Sequence, residues 1–118
     1  MKILMLTGSL PPDACGVGDY TGRLVSELRS RGLTVETLKH PLRICDVPAV
    51  CRLVSGRKPD LVHIQYPTVG FSNRLGPHIF SLCCPCVVTL HEVSQLHLLK
   101  RISLILFSLR SRHILFTT

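Results

Sequence analysis

Two places in this 118-residue sequence hold residues whose type and spacing could do chemistry. The first is Gly16-Val17-Gly18-Asp19, just ahead of a helix-patterned segment. Glycines there let the backbone approach a ligand closely, and the unpaired N–H groups of a helix start, reinforced by its dipole, favour an anion. A phosphate-bearing ligand is the expected occupant. The second is His91-Glu92, which directly follows the apolar run at residues 86–90. An imidazole and a carboxylate at a strand's carboxyl end stand where ligands of open α/β sheets bind. His63 lies inside another apolar run and reads as a hydrogen-bonded core histidine rather than a ligand. Cys83, Cys84, Cys86 and His91 could be put forward as a metal site. They lack the paired C-x-x-C spacing of structural zinc, and metal binding would pull strand residues out of alternation, so no metal is expected.

The elements that must position these residues can be read from periodicity. An apolar run at 3–6, a loop at 7–15, a helical stretch and a second strand at 33–38 make a βαβ unit, whose crossover is right-handed. Tyr20, Leu24, Val25 and Leu28 fall on one helical face, and Arg23, Ser26, Glu27 and Ser30 fill the other. Asp19 stands where an N-cap would, and Gly32 follows Arg29 and Arg31 as a stop. A second helix is expected over 47–55 with Val50, Leu53 and Val54 inward, then a turn at 56–60 and a strand at 61–65 ending at Tyr66-Pro67. A helix over 75–84 with Pro77 in its first turn leads to a strand at 86–90. A helix at 94–110, apolar almost all round, and a strand at 113–117 complete the chain. This alternation specifies an α/β fold, a Rossmann-like doubly wound parallel sheet of about five strands. Ligands are expected at the carboxyl ends: residues 7–19, Lys39-His40, Gln65-Tyr66, His91-Glu92 and Thr117-Thr118.

Composition narrows the classes. The chain is 46% hydrophobic and only 18% charged, which suits a parallel sheet covered on both faces. Lys and Arg outnumber Asp and Glu by 14 to 7, a net charge of +7 that attracts anionic ligands or surfaces. The basic residues are scattered and aromatics make up 5%, so nucleic acid is not an expected partner. Six cysteines without a secretory leader or disulfide-rich loops read as free thiols in a reducing, cytoplasmic compartment. Prolines and the Lys100-Arg101 pair interrupt every apolar run before it reaches membrane-spanning length. The basic-flanked helix at 94–110 could instead lie on a membrane surface, a peripheral contact that competes with packing onto the sheet.

Several nucleotide motifs are missing. A dinucleotide fingerprint needs G-x-G-x-x-G and an acidic residue closing strand two, whereas here the glycines run Gly16, Gly18, Gly22 and strand two runs into Lys39. Neither G-x-x-x-x-G-K-[ST] nor G-x-S-x-G is present, nor the acidic residues that receiver domains carry after strand one.

What is present resembles a known family. Lys2 to Leu6, Pro11-Pro12, Cys15-Gly16-Val17-Gly18-Asp19-Tyr20, Leu24 to Leu28, Gly32-Leu33-Thr34-Val35, Pro59-Asp60-Leu61-Val62-His63-Ile64-Gln65-Tyr66 and Val88-Thr89-Leu90-His91-Glu92 follow one another in a way that resembles the N-terminal domain of group 1 (family 4) glycosyltransferases. The resemblance spans nearly the whole chain. It implies the N-terminal half of a GT-B architecture, with residues 1–118 an incomplete acceptor-side domain and the C-terminal donor domain, with its acidic E-x7-E motif, absent. It further implies retaining, metal-independent transfer from a nucleotide-sugar, a co-substrate rather than a cofactor, to a glycan or lipid-linked acceptor. Gly16, Val17 and Gly18 would approach the donor diphosphate, His91 would face the reacting sugar as the catalytic residue, and Asp19, Tyr20, Gln65, Tyr66 and Glu92 would line the acceptor side. Reaction in an interdomain cleft needs both walls, so the isolated chain is expected not to turn over. The competing expectation is a non-catalytic Rossmann-like module that binds a phosphorylated ligand or a partner chain.

Overall fold

The computed structural model describes residues 1–12, 15–66, 71, 75–84, 86–91 and 113–117. In chain order the elements are β1 (Lys2–Thr7), α1 (Gly16–Ser30), β2 (Thr34–Lys39), a 3-10 turn (Ile44–Asp46), α2 (Val47–Arg57), β3 (Leu61–Tyr66), α3 (Gly76–Cys83), β4 (Val87–His91) and β5 (His113–Thr117). The strands lie in the order β2-β1-β3-β4-β5, and every neighbouring pair is parallel. The chain is therefore an α/β protein with a parallel sheet, arranged in the Rossmann-like manner. Strand order reverses between β1 and β3, the place where doubly wound sheets open a ligand crevice at their carboxyl ends.

Alternation along each strand divides the core in two. Ile3 and Met5 of β1 pack with Val35 of β2 and Val25 of α1, with Leu24 and Leu28 closing over them. Leu4 and Leu6 point the other way, into a larger cluster with Val62, Ile64 and Tyr66 of β3, Val88 and Leu90 of β4, Val47, Val50 and Val54 of α2, and Phe80 of α3. Helices thus cover both faces, which explains why the strands read as continuous apolar runs.

Several local expectations need correction. α1 begins at Gly16, not after Asp19: Cys15 is the N-cap in extended conformation, and Asp19 sits in the first turn with its N–H bonded to the Cys15 carbonyl at 3.0 Å. Gly16 and Gly18 are therefore helical rather than loop residues. Tertiary contact offsets their low helix propensity: a Cβ at Gly18 would stand 3.1–3.2 Å from Ser9, so glycine lets the helix settle closely onto the β1–α1 connection. Tyr20 is not on the buried stripe, being 42% exposed, and Thr21 takes the buried place with its hydroxyl donating to the Val17 carbonyl at 2.7 Å. In α2 the buried face is Val47, Val50 and Val54, while Leu53 is 42% exposed. The helix also runs through Gly56 and Arg57 and stops at Lys58, which adopts a left-handed φ of 48°.

The far end of α1 is as expected. Gly32 takes φ +87°, its N–H bonds the Arg29 carbonyl, and the Leu33 N–H bonds the Leu28 carbonyl, a Schellman closure. The Arg29 guanidinium then reaches the Val35 carbonyl at 2.8 Å and ties the helix end to β2. The expected helix at 94–110 lies outside the described residues, and among the described residues no helix is long and apolar enough to cross a membrane.

Candidate functional site

The carboxyl end of β4 and the N-terminal part of α1 meet. The rings of His91, the last residue of β4, and Tyr20 of α1 touch edge to face, with centroids 4.8 Å apart and planes at 71°. Edge-to-face contact is a favoured aromatic geometry, so it holds the imidazole against the helix. In sequence these residues are 71 positions apart. They become neighbours because α1, packed on the face formed by Ile3, Met5 and Val35, starts near the carboxyl end of the sheet, where β4 ends at His91.

Beneath that contact runs a chain of buried polar groups. His91 Nε2 lies 2.7 Å from Gln65 Oε1. The Gln65 amide nitrogen lies 3.3 Å from His63 Nε2 and 3.5 Å from the sulfur of Met5. His63 Nε2 also meets the Thr89 hydroxyl. The four polar side chains share one face because His63 and Gln65 alternate on β3 as Thr89 and His91 do on β4, and Gln65 stands beside Thr89 in register. All are buried, and they hydrogen-bond one another, as polar groups removed from water do. Burial, helped by the nearby His91, pushes the His63 pKa down from 6.5 to about 4, so its ring is neutral near physiological pH.

The β1–α1 connection forms the other wall. The Thr7 hydroxyl donates to the Ser9 carbonyl at 3.0 Å and the Ser9 N–H returns to the same hydroxyl at 3.3 Å, a small closed turn under Gly18. Gly18 is thus used up in packing. Gly16 differs, since a Cβ there would meet nothing within 4 Å, and it is exposed. Asp19, next to Tyr20, is exposed as well.

Of the residues singled out in the sequence, the structure therefore gathers Gly16, Val17, Gly18, Asp19, Tyr20, Gln65 and His91 around one end of the sheet. Tyr66 is not among them. It points to the opposite face, 1% exposed, with its ring stacked on Phe71 at 6.3 Å and edge-on to His78 at 5.0 Å, and burial raises its pKa to about 12. Glu92 lies outside the described residues. Thr89 and Met5 belong to the polar chain although nothing in their local sequence singled them out. The period-two pairs His63-x-Gln65 and Thr89-x-His91 were the signal available. All six cysteines are free thiols, Cys83 at the end of α3 and Cys84 capping it rather than in a strand, and among the described residues no three His, Cys, Asp or Glu side chains gather as metal ligands would.

No family model, curated protein or solved structure matches this chain.

Proposed function

We propose that this chain is the acceptor-side domain of a nucleotide-sugar-dependent glycosyltransferase of the two-domain GT-B architecture. The observation that carries the reading is the contact between Tyr20 and His91, which brings a helix start open at Gly16 and a strand-end imidazole to the same end of the sheet. Transfer from a nucleotide-sugar releases a diphosphate whose negative charge grows as the glycosidic bond breaks. N–H groups of the first turn of α1, Gly16 to Gly18, supply aligned dipoles for that charge. His91 hydrogen-bonds a hydroxyl of the reacting sugar, held in place by Tyr20 and Gln65. Asp19, exposed beside it, faces the hydroxyl-rich acceptor, a glycan or a lipid-linked sugar. A second domain carrying acidic residues completes the cleft, excludes water and engages the rest of the donor.

The test is a titration of the nitrogen-15-labelled chain with uridine and guanosine diphosphates, followed by amide correlation spectra. Shifts concentrated at Gly16 to Asp19 and around His91 support the reading, and Gly16→Ala should then weaken binding about tenfold by obstructing close approach. Equal response to inorganic phosphate would sink sugar transfer in favour of a plain phosphate-binding module. Steady nucleotide release by the isolated chain would overturn the view that it supplies only one wall.

A further inference from the structure

We propose that a single amide, that of Gln65, holds two histidines of neighbouring strands in opposite tautomers: neutral His91 protonated on Nε2 and His63 on Nδ1. The inference stands on hydrogen-bond geometry and survives failure of the sugar-transfer reading.

Gln65 is fully buried and, among the described residues, its amide has three hydrogen-bonding neighbours: His91 Nε2 at 2.7 Å from the oxygen, and His63 Nε2 at 3.3 Å and Met5 Sδ at 3.5 Å from the nitrogen. One end of an amide only accepts and the other only donates, whereas an imidazole nitrogen does either according to where its proton sits. A thioether sulfur carries no hydrogen, so Met5 can only accept, and the NH2 end of Gln65 must face it. The oxygen end then faces His91, whose Nε2 must present an N–H. The second amide hydrogen faces His63, whose Nε2 must present its lone pair, placing the proton on Nδ1. The Thr89 hydroxyl, which rotates freely, turns its hydrogen toward the same lone pair and shares it with the amide.

Turning the amide over would reverse both histidines together and set an oxygen against the sulfur lone pairs. The two rings are opposed in either case, and Met5 selects which way. The consequence falls on His91: its basic lone pair is on Nδ1, the ring nitrogen other than the one held by Gln65. Gln65 is a positioning residue acting through His91.

The check is a long-range proton–nitrogen correlation spectrum of the imidazole rings in the nitrogen-15-labelled full chain near neutral pH. Expected are the Nε2-protonated pattern for His91 and the Nδ1-protonated pattern for His63. The same tautomer on both rings, or the reversed pair, would overturn the proposal. Met5→Leu keeps apolar bulk but removes the acceptor, and should turn both rings into tautomer mixtures; an unchanged spectrum would refute selection by the sulfur. Gln65→Glu keeps the acceptor toward His91 and removes the donor toward His63. His91 should stay Nε2-protonated while His63 loses its single pattern, and persistence of that pattern would also overturn the amide's role.

Discussion

The two faces of the sheet are built from the same strands and differ in kind. Toward α2 and α3, alternate residues are apolar from one end to the other: Leu4 and Leu6, then Val62, Ile64 and Tyr66, then Val88 and Leu90. Toward α1, apolar Ile3 and Met5 give way to Thr7, His63, Gln65, Thr89 and His91, all buried. Burial of apolar surface contributes stability roughly in proportion to area, whereas a satisfied buried polar group contributes little net. One face holds the fold together and the other fixes side chains in space. The polar face tolerates its composition because its members bond each other, and a sequence that departs from apolar packing in one place does so where function is expected.

Truncating the apolar face should have the largest effect. Phe80 is fully buried beneath α3, and Phe80→Ala should lower the unfolding free energy in urea by about 3–5 kcal/mol. A loss no greater than that of a surface substitution would break the contrast.

Acid should separate the faces next. The unfolded chain takes up a proton at His63 near pH 6.5 but the folded chain only near 4, because burial and then the nearby His91 disfavour the charged ring. Stability tied to the neutral ring is therefore complete above pH 6.5 and falls as pH drops toward 4, by about 3 kcal/mol in all. Urea titrations across that window should show the slope in the parent and in Phe80→Ala, and a flatter dependence in His63→Leu. An equal slope in His63→Leu would place the titration elsewhere.

The smallest effect contrasts two glycines of one helix turn. Gly16→Ala meets nothing and should raise the thermal midpoint, by about 0.5–1 kcal/mol of stability. Gly18→Ala presses on Ser9 and should cost about 1 kcal/mol or more. Equal midpoints would deny that Gly18 is fitted to the β1–α1 connection.

Much of the scaffold was legible. β1, β3 and β5 stand out as apolar runs of strand length, and the Gly32 stop follows from the αL residue a helix end needs. Helix limits were less so. Gly16 reads as loop by propensity, and its helical state comes from the docking of Gly18 beneath it. Lys58 ends α2 in a left-handed conformation that no lysine announces. Tyr20 satisfies the apolar period, and only the folded chain reveals that it spends its ring on His91 instead of the core. Gln65 and Tyr66 are adjacent in sequence and part company by strand alternation, a rule available beforehand. That Gln65 stands beside Thr89 and reaches His91 depends on strand order, which composition does not encode.

Gly76 opens α3 against the connection that follows β2, where Leu42 takes φ 49° and a Cβ on Gly76 would overlap the Leu42 carbonyl. Two crossovers from opposite ends of the chain's middle third are thereby keyed together. Lengthening residues 40–43 would not be absorbed at the surface, as insertions in connecting segments generally are, but would dislodge α3 and with it the Phe80 side chain that roofs the larger cluster.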